Sequence, residues 1–148
     1  MEIIITDNRI SQGKTNVTGG IFFKTDSGFF PEENWNDFVL IIAANWINEY
    51  LSFLNSSGSR TFTLCFMDGA SEVVGTLKDS GNYCLEYVRL YIDSKDVIFT
   101  EIVSKADFEK QLTKACRKSM RIASTFDMNE QVGNFRKMLD KLKYINPV

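Results

Sequence analysis

Residues 61–103, TFTLCFMDGASEVVGTLKDSGNYCLEYVRLYIDSKDVIFTEIV, contain four apolar-rich segments separated by short turn signals. Apolar and polar residues alternate in the first segment, as expected of a half-buried strand. Asp68-Gly69 is typical of a two-residue type I′ hairpin turn, in which both positions need a positive φ. Because consecutive strands joined by such short turns pair antiparallel, the stretch predicts a meander. The four predicted strands are 61–67, 72–77, 84–92 and 97–103.

Two shorter segments near the start of the chain extend the predicted sheet. Residues 2–5 and 17–24 are rich in apolar residues, and the second contains Gly19-Gly20. Paired glycines inside a strand indicate a bulge or a close backbone approach. We therefore predict an α+β fold, in which an antiparallel sheet of about five or six strands packs against one long helix and two C-terminal helices.

The long helix is predicted between these two groups of strands. Apolar residues recur with a 3.6-residue period from Trp35 to Phe53, and the polar run 55–59 ends the pattern. Pro31 suits a first helical turn and Asn34 suits an N-cap, which leaves two alternatives for the start. Since apolar residues extend well around this helix, we expect neighbours to cover it on more than one side.

Two further helices are predicted after the meander. Ser104 is a candidate N-cap with Asp107 three residues on, and an apolar stripe follows from Phe108. Asp127 with Glu130 has the spacing of a capping box for the last helix. The predicted buried stripe of the first helix consists of Phe108, Leu112, Ala115, Cys116, Ile122 and Ala123.

Size and composition predict a single domain, 1–148, because 148 residues with 44% apolar residues can form their own core. The first residues do not resemble a secretory signal, and the longest apolar run, 38–44, is far below the roughly 20 residues that span a bilayer. Three widely spaced cysteines fit a reducing compartment better than a disulfide framework. We therefore predict a cytoplasmic protein with buried thiols and no membrane partner.

Charge is distributed unevenly along the chain, although the net charge is only −2. Residues 68–109 hold four bases and nine acids, whereas residues 110–148 hold nine bases and three acids. An acidic middle and a basic end indicate two surfaces with different electrostatic preferences.

The residues needed for common catalysis are missing. The chain contains no histidine, which excludes serine–histidine and cysteine–histidine dyads and imidazole metal ligands. It has no C-x-x-C pair and no glycine-rich phosphate loop. Paired acids such as Glu32-Glu33 or Asp93 with Asp96 are more typical of solvated caps and loops than of a catalytic pair. We predict a protein that is not an enzyme and that needs no cofactor or metal, with carboxylate-only catalysis as the remaining alternative.

Acidic and aromatic residues of the meander form the first candidate binding surface. Charged residues near turns can steer a partner, and tyrosine is a common interface anchor. The competing interpretation is that the acids are ordinary outward strand positions and that the tyrosines belong to the core. The candidate partner-binding residues are Asp68, Glu72, Glu86, Tyr87, Asp93 and Asp96.

The helix predicted over residues 105–125 carries the second candidate surface, a basic face opposite the apolar stripe. Five bases on one side could contact phosphates, which would make the protein a nucleic-acid-binding or regulatory module. Against this interpretation, aromatic residues that could stack on bases do not interleave with the basic ones, and the whole chain is slightly acidic. The residues of this face are Lys110, Lys114, Arg117, Lys118 and Arg121.

The layout of residues 17–142 resembles bacterial immunity proteins of polymorphic toxin and contact-dependent growth inhibition systems. The resemblance depends on Phe30-Pro31-Glu32-x-x-Trp35-x-Asp37-Phe38, on a long helix with Trp46, and on a strand that ends in Phe66-Met67-Asp68-Gly69. It implies a cytoplasmic protein without enzymatic activity that binds its cognate toxin domain and covers or distorts the toxin's active site. Such toxins are often nucleases with basic substrate channels. Because immunity pairs diverge at their interfaces, the resemblance assigns no contact residue to this chain.

Overall fold

The computed structural model describes residues 1–12 and 16–145. The described residues form eight strands and three helices. In chain order these are β1 (Glu2–Gln12), β2 (Val17–Thr25), β3 (Gly28–Phe30), β4 (Asn36–Asp37), α1 (Val39–Asn55), β5 (Thr61–Cys65), β6 (Ser71–Leu77), β7 (Tyr83–Leu90), β8 (Lys95–Val103), α2 (Lys105–Thr125) and α3 (Asn129–Ile145).

The strands form two antiparallel sheets, each with four strands. In the first, which we call the N-terminal sheet, β2 lies between β1 and β3 and also pairs with β4. In the second, the meander sheet, the order is β5-β6-β7-β8. The predicted α+β class, the meander, the long helix and the two C-terminal helices are therefore confirmed. The expected single sheet is divided in two, because Trp46 of α1 bonds to the edge of β5 at which the N-terminal strands could otherwise have joined the meander.

The long helix begins at Val39, several residues later than the periodicity from Trp35 predicted. Asn36 and Asp37 instead pair with Gly20 and Gly19 of β2, so this segment is extended. The Asp37 carboxylate accepts hydrogen bonds from the Trp35 indole N–H (3.0 Å), the Phe38 amide (2.8 Å) and the Met67 amide (3.2 Å). One buried carboxylate thereby joins the N-terminal sheet, the start of α1 and the end of β5.

One of the paired glycines of β2, Gly20, makes the close approach that the sequence predicted. A Cβ atom on Gly20 would lie 2.0 Å from the Thr6 hydroxyl oxygen of β1. Gly75 in β6 has a similar constraint, since its Cβ would lie 2.2 Å from the Phe62 ring. Glycine is required at both positions because no side chain fits between the packed neighbours.

Both sheets and all three helices share one contiguous hydrophobic core. Aromatic rings connect its parts: Tyr87 of the meander sheet packs edge-on against Phe23 and Phe30 of the N-terminal sheet. Trp46 of α1 is buried, and its indole N–H donates to the Cys65 carbonyl at 2.8 Å. The edge of the meander sheet at β5 is therefore covered by α1.

The two C-terminal helices follow the predicted pattern except at one cap. The Ser104 hydroxyl accepts a hydrogen bond from the Asp107 amide at 3.1 Å, as expected of an N-cap. The predicted buried stripe of α2 is confirmed. Asp127 is not the cap of α3; it adopts a positive φ of 54°, and its amide donates to the Ser124 carbonyl. No helix among the described residues is long and apolar enough to cross a membrane.

A buried polar network lies where α1, β7 and α2 meet. The Tyr50 hydroxyl donates to the Glu109 carboxylate at 2.6 Å and lies 2.8 Å from the Tyr83 hydroxyl. Glu109 is 2% exposed and pairs with the Lys105 ammonium at 3.4 Å. Burial, followed by the hydrogen bond to Glu109, raises the pKa of Tyr50 above its usual value. Burial also raises the pKa of Tyr83.

We expect this network to make the protein sensitive to alkali. Tyrosine in an unfolded chain titrates near pH 10, whereas buried Tyr50 keeps its proton, so the stabilisation is complete below that pH and decreases above it. The loss amounts to about 1.4 kcal/mol per pH unit for each such tyrosine. Urea unfolding followed by circular dichroism at pH 8, 10 and 11 measures the slope.

Tyr50→Phe tests the assignment. The variant is less stable at pH 8 by about 1–3 kcal/mol, because a buried acceptor on Glu109 loses its donor, but it loses less stability between pH 10 and 11. Tyr144→Phe, at a position that is 88% exposed, is the control and leaves the curves unchanged. Equal alkaline slopes for wild type and Tyr50→Phe would contradict the network's role.

Candidate functional site

The meander sheet has two faces with different surroundings. One face, with Phe62, Leu85 and Tyr87, is buried in the core. On the opposite face, which we call the outer face, almost all side chains are exposed or half-buried, with Val88 as the exception. The strand registers assign to the outer face Thr61, Thr63, Cys65, Glu72, Val74, Thr76, Cys84, Glu86, Val88, Leu90, Lys95, Val97, Thr100 and Ile102.

Two of the predicted acids lie together on this outer face. Glu72 of β6 is opposite Val88, and Glu86 of β7 is opposite Val74, so the two carboxylates are diagonal neighbours on adjacent strands. Diagonal positions in an antiparallel pair are roughly 7–8 Å apart. Lys95, opposite Leu90 at the end of the strands, is the base that the register places on this face. The centre of the outer face is therefore negative.

Asp68 and Asp93 lie in two turns at one end of the meander sheet. Asp68 is in the turn between β5 and β6, and Asp93 is in the turn between β7 and β8. The two turns are adjacent, because the Leu90 amide next to the second turn donates to the Ala70 carbonyl of the first at 2.7 Å. Asp68 and Asp93 therefore lie at the end of the sheet nearest Glu72, and we call Asp68, Glu72, Glu86 and Asp93 together the acidic surface.

Asp68 also has a structural role. Its carboxylate accepts hydrogen bonds from the Ala70 amide (3.0 Å), the Ser71 amide (3.1 Å) and the Ser71 hydroxyl (3.0 Å). The turn therefore spans residues 66–70, with a positive φ at Gly69 but not at Asp68. The predicted two-residue type I′ turn is wrong, because the side chain of Asp68 supplies the acceptor that closes a longer loop.

The two remaining candidates of the meander lie elsewhere. Tyr87 is completely buried, and its hydroxyl donates to the Glu101 carboxylate at 2.5 Å. Its side chain cannot contact a partner, so Tyr87 is a core residue and not a surface anchor. Asp96 is exposed, but the register places it opposite Arg89, on the other side of the sheet from Glu72 and Glu86.

Exposed apolar side chains concentrate beside the acidic surface, a feature that the sequence reasoning missed. Six of the eight exposed large apolar residues among the described residues lie in the turns of the meander sheet or on β8. Because monomeric proteins seldom expose large apolar patches, this concentration makes the region a candidate interaction site. The six are Met67, Tyr91, Ile92, Val97, Ile98 and Ile102. For the five of them that lie in residues 91–102, the sequence signal was that apolar residues occupy both odd and even positions of the stretch.

The cysteines differ from the expectation of three buried thiols. Cys116 of α2 is buried, and burial raises its pKa to about 11. Cys84 is half-buried and Cys65 is exposed, both on the outer face. Partial burial raises the pKa of Cys65, and the negative charges of Glu72 and Glu49 raise it further. The negative potential near Cys65 therefore disfavours the thiolate form of this residue.

The basic face of α2 forms a groove with β1. Four of its five predicted residues, Lys114, Arg117, Lys118 and Arg121, line a groove of about 320 Å³ along residues 2–5, whereas Lys110 is outside the lining. Arg117 and Arg121 also line a second groove on the α3 side, which adds Arg136. We call these residues the basic band. Arg136 was missed in the sequence because only the packing of α3 against α2 places it beside Arg117 and Arg121.

The core separates the acidic surface from the basic band. Phe108, on the buried side of α2, packs against Phe62 and Tyr83 on the inner face of the meander sheet. The acids project from the other face of that sheet, and the bases project from the other side of α2. Within the described part of the chain, no three cysteine or carboxylate side chains are placed to hold a metal ion. The two surfaces expose charged side chains, and the acidic one is bordered by exposed apolar side chains.

Fold and surface together define an α+β protein with a one-sided meander sheet whose outer face is acidic and bordered by apolar residues. No protein-family model, curated protein or solved structure matches this chain.

We expect the Asp68 carboxylate to stabilise the fold as well as to carry charge. Asp68→Ala leaves the amide of buried Ser71 without its acceptor and lowers the free energy of unfolding by about 1–2 kcal/mol. Asp68→Asn keeps one acceptor oxygen and restores part of the loss. Urea unfolding measures both effects.

Asp93→Ala is the matched control for Asp68→Ala, since it removes one acid from the neighbouring exposed turn. We expect a change within about 0.5 kcal/mol for this variant. If Asp68→Ala and Asp93→Ala were equally stable, the three hydrogen bonds at Asp68 would contribute nothing measurable to the turn.

Proposed function

We propose that this chain is an immunity-type inhibitor, which neutralises a toxin domain by stoichiometric binding in the cytoplasm. The observation that carries the proposal is the outer face of the meander sheet, where Glu72 and Glu86 form a negative centre bordered by exposed aliphatic residues. The sequence resemblance to immunity proteins of contact-dependent growth inhibition systems supports the same function. The inhibitor contributes complementarity of charge and shape and no chemical step.

The charge of the acidic surface suits a toxin that acts on nucleic acid. A nuclease needs a positive channel for the phosphate backbone, and carboxylates spaced on a rigid sheet can occupy such a channel in place of phosphates. Complementary charge also accelerates association, by about 10- to 1,000-fold when a charged surface steers its partner. Fast capture matters for an inhibitor because a toxin acts until it is bound.

The apolar border supplies the contact area that charge alone does not. Interfaces have a desolvated centre of large side chains and a polar rim. Ile92, Val97 and Ile102 are exposed beside the acids and can become the desolvated part on binding. Affinity then depends on these side chains, and the rate of association depends on the acids.

Co-expression tests the proposal directly. The toxin domain encoded next to this chain in its genome, which we call the adjacent-gene toxin, should stop growth when expressed alone and be harmless together with this protein. The two should also co-elute at a one-to-one ratio. Growth arrest despite co-expression, with no complex on gel filtration, would disprove an immunity function against that toxin.

Charge reversal of the outer face tests the mechanism. Glu72→Lys with Glu86→Lys should slow association with the adjacent-gene toxin by about tenfold or more and weaken its dependence on salt. Glu72 and Glu86 lie on the two central strands of the meander sheet, and both side chains are half-buried. Neither closes a turn by hydrogen bonds as Asp68 does, so we expect the double variant to fold. Stopped-flow association rates at 50 and 300 mM salt, concentrations of the order that screen surface charges, measure the effect.

The control changes the same amount of charge elsewhere. Glu130→Lys with Asp140→Lys reverses two exposed acids of α3 and should leave the association rate within about twofold. Equal slowing by the two double variants would show that net charge and not the acidic surface governs association.

The basic band supports a second candidate function, nucleic-acid binding. The specific observation is that two grooves share Arg117 and Arg121, so bases from α2 and α3 follow one another across the surface. A continuous basic path is what a phosphate backbone requires. In this reading the partner of the protein is RNA or DNA.

A gel-shift titration with a mixed-sequence oligonucleotide tests this candidate. If the basic band binds phosphates, affinity decreases steeply with salt, and Arg117→Glu with Arg121→Glu abolishes the shift. Lys141→Glu with Lys143→Glu, two exposed bases near the end of α3, is the matched control and retains binding. Absence of any shift at 50 mM salt, where phosphate contacts are strong, would eliminate this candidate.

A further inference from the structure

The strand β8 forms an open edge of the meander sheet. In the order β5-β6-β7-β8, this strand pairs with β7 on one side. Residues 95–98, Thr100 and Ile102 are exposed. The opposite edge, β5, is covered by α1, whose Trp46 indole donates to the outward Cys65 carbonyl. Among the described residues, the sheet therefore has one covered edge, β5, and one open edge, β8.

The hydrogen-bond ladder identifies which backbone groups of β8 are free to pair outward. The Leu90 amide donates to Ala70, on the β6 side, so the alternate residues Tyr87 and Leu85 direct their backbone groups to β8. Their partners on β8 are Phe99 and Glu101, respectively. Thr100 and Ile102 alternate with these residues, so their N–H and C=O groups point away from the sheet, where an added strand would pair with them.

The side chains along this edge favour addition of a strand instead of preventing it. Natural edges are commonly protected by inward charges, bulges, prolines or short length. The inward charge of β8, Glu101, is bound by the Tyr87 hydroxyl, and the strand has nine residues and exposes Val97, Ile98 and Ile102. The register shift between Tyr87 and Val88 leaves Ile98 as an extra residue. From Phe99 to Val103 the pairing with β7 is regular.

We infer that the toxin partner of the proposed function adds an extended segment to β8, so that the meander sheet continues from this chain into the toxin. The segment is basic and aliphatic. On the outer face its aliphatic side chains lie beside Val97 and Ile102, and a basic side chain opposite Thr100 reaches toward Glu86, which is opposite Thr100 on the next strand. Backbone pairing gives affinity, and these alternate side chains give specificity.

Charge selects such a partner over a second copy of this chain. Two copies joined through β8 would place two acidic outer faces side by side in one sheet, each with its own Glu72 and Glu86. The nearest pair, one Glu86 from each copy, would lie three strand spacings or about 14 Å apart, so the repulsion acts through the field of the two faces and is strongest at low salt. A basic segment brings the opposite charge to the same edge. The inference rests on the proposed function and specifies how the toxin binds.

Amide hydrogen exchange of the wild-type protein tests the inference without any substitution. On addition of the adjacent-gene toxin, the amides of Thr100 and Ile102 should exchange at least about tenfold more slowly, because they enter new strand hydrogen bonds. Thr100→Pro should weaken the complex by about tenfold, chiefly through faster dissociation. Thr100→Val keeps the amide and should bind as wild type does.

The outcomes separate the two proposals. If the complex forms but the Thr100 and Ile102 amides exchange as in the free protein, strand addition is wrong and the immunity function stands. If Thr100→Pro and Thr100→Val weaken binding equally, side-chain contact replaces backbone pairing, and strand addition is again wrong. If the free protein is a dimer with both amides already protected, a second copy occupies β8. If co-expression gives no complex, the proposed function fails first.

Discussion

The alternation of side chains in the meander sheet is the constraint on which the rest of the structure depends. Successive residues of a strand point to opposite faces, so burying Phe62, Leu64 and Tyr87 necessarily turns Glu72 and Glu86 outward. All three helices and the N-terminal sheet share the core on the inner side. The outer face is left to solvent, and that one-sided arrangement creates the candidate binding surface.

Features set by neighbouring residues could be predicted from the sequence. The Ser104 cap depends on a hydroxyl and an amide three residues apart, and the α2 stripe depends on a period of 3.6 residues. Features set by distant residues could not be predicted. Trp35 continues the helical period, but pairing of Asn36 and Asp37 with β2 keeps this segment extended. That pairing involves residues far apart along the chain.

The same distinction between neighbouring and distant residues explains which residues of the candidate site could be predicted. The acids of the meander were identified because charged residues near turns are visible in the sequence. The structure places Glu72 and Glu86 as diagonal neighbours on the outer face and Asp68 and Asp93 in adjacent turns at one end of the sheet. Tyr87 was misassigned because apolar residues occupy both registers of β7, so the pattern did not tell which register is buried. The buried register is decided by Phe23 and Phe30 of the N-terminal sheet, which pack against Tyr87.

The core that buries Tyr87 also determines how rigid the open edge is. The Tyr87 hydroxyl donates to the Glu101 carboxylate of β8, and the amino group of Met1 lies 3.9 Å from the same carboxylate. The ring of Phe99, two residues before Glu101 on β8, also packs against the Tyr87 ring. Two inward side chains of β8 are thereby fixed to the rest of the molecule, while Thr100 and Ile102 remain outward. A partner that pairs with a strand already held in place loses less conformational entropy than one that must order it.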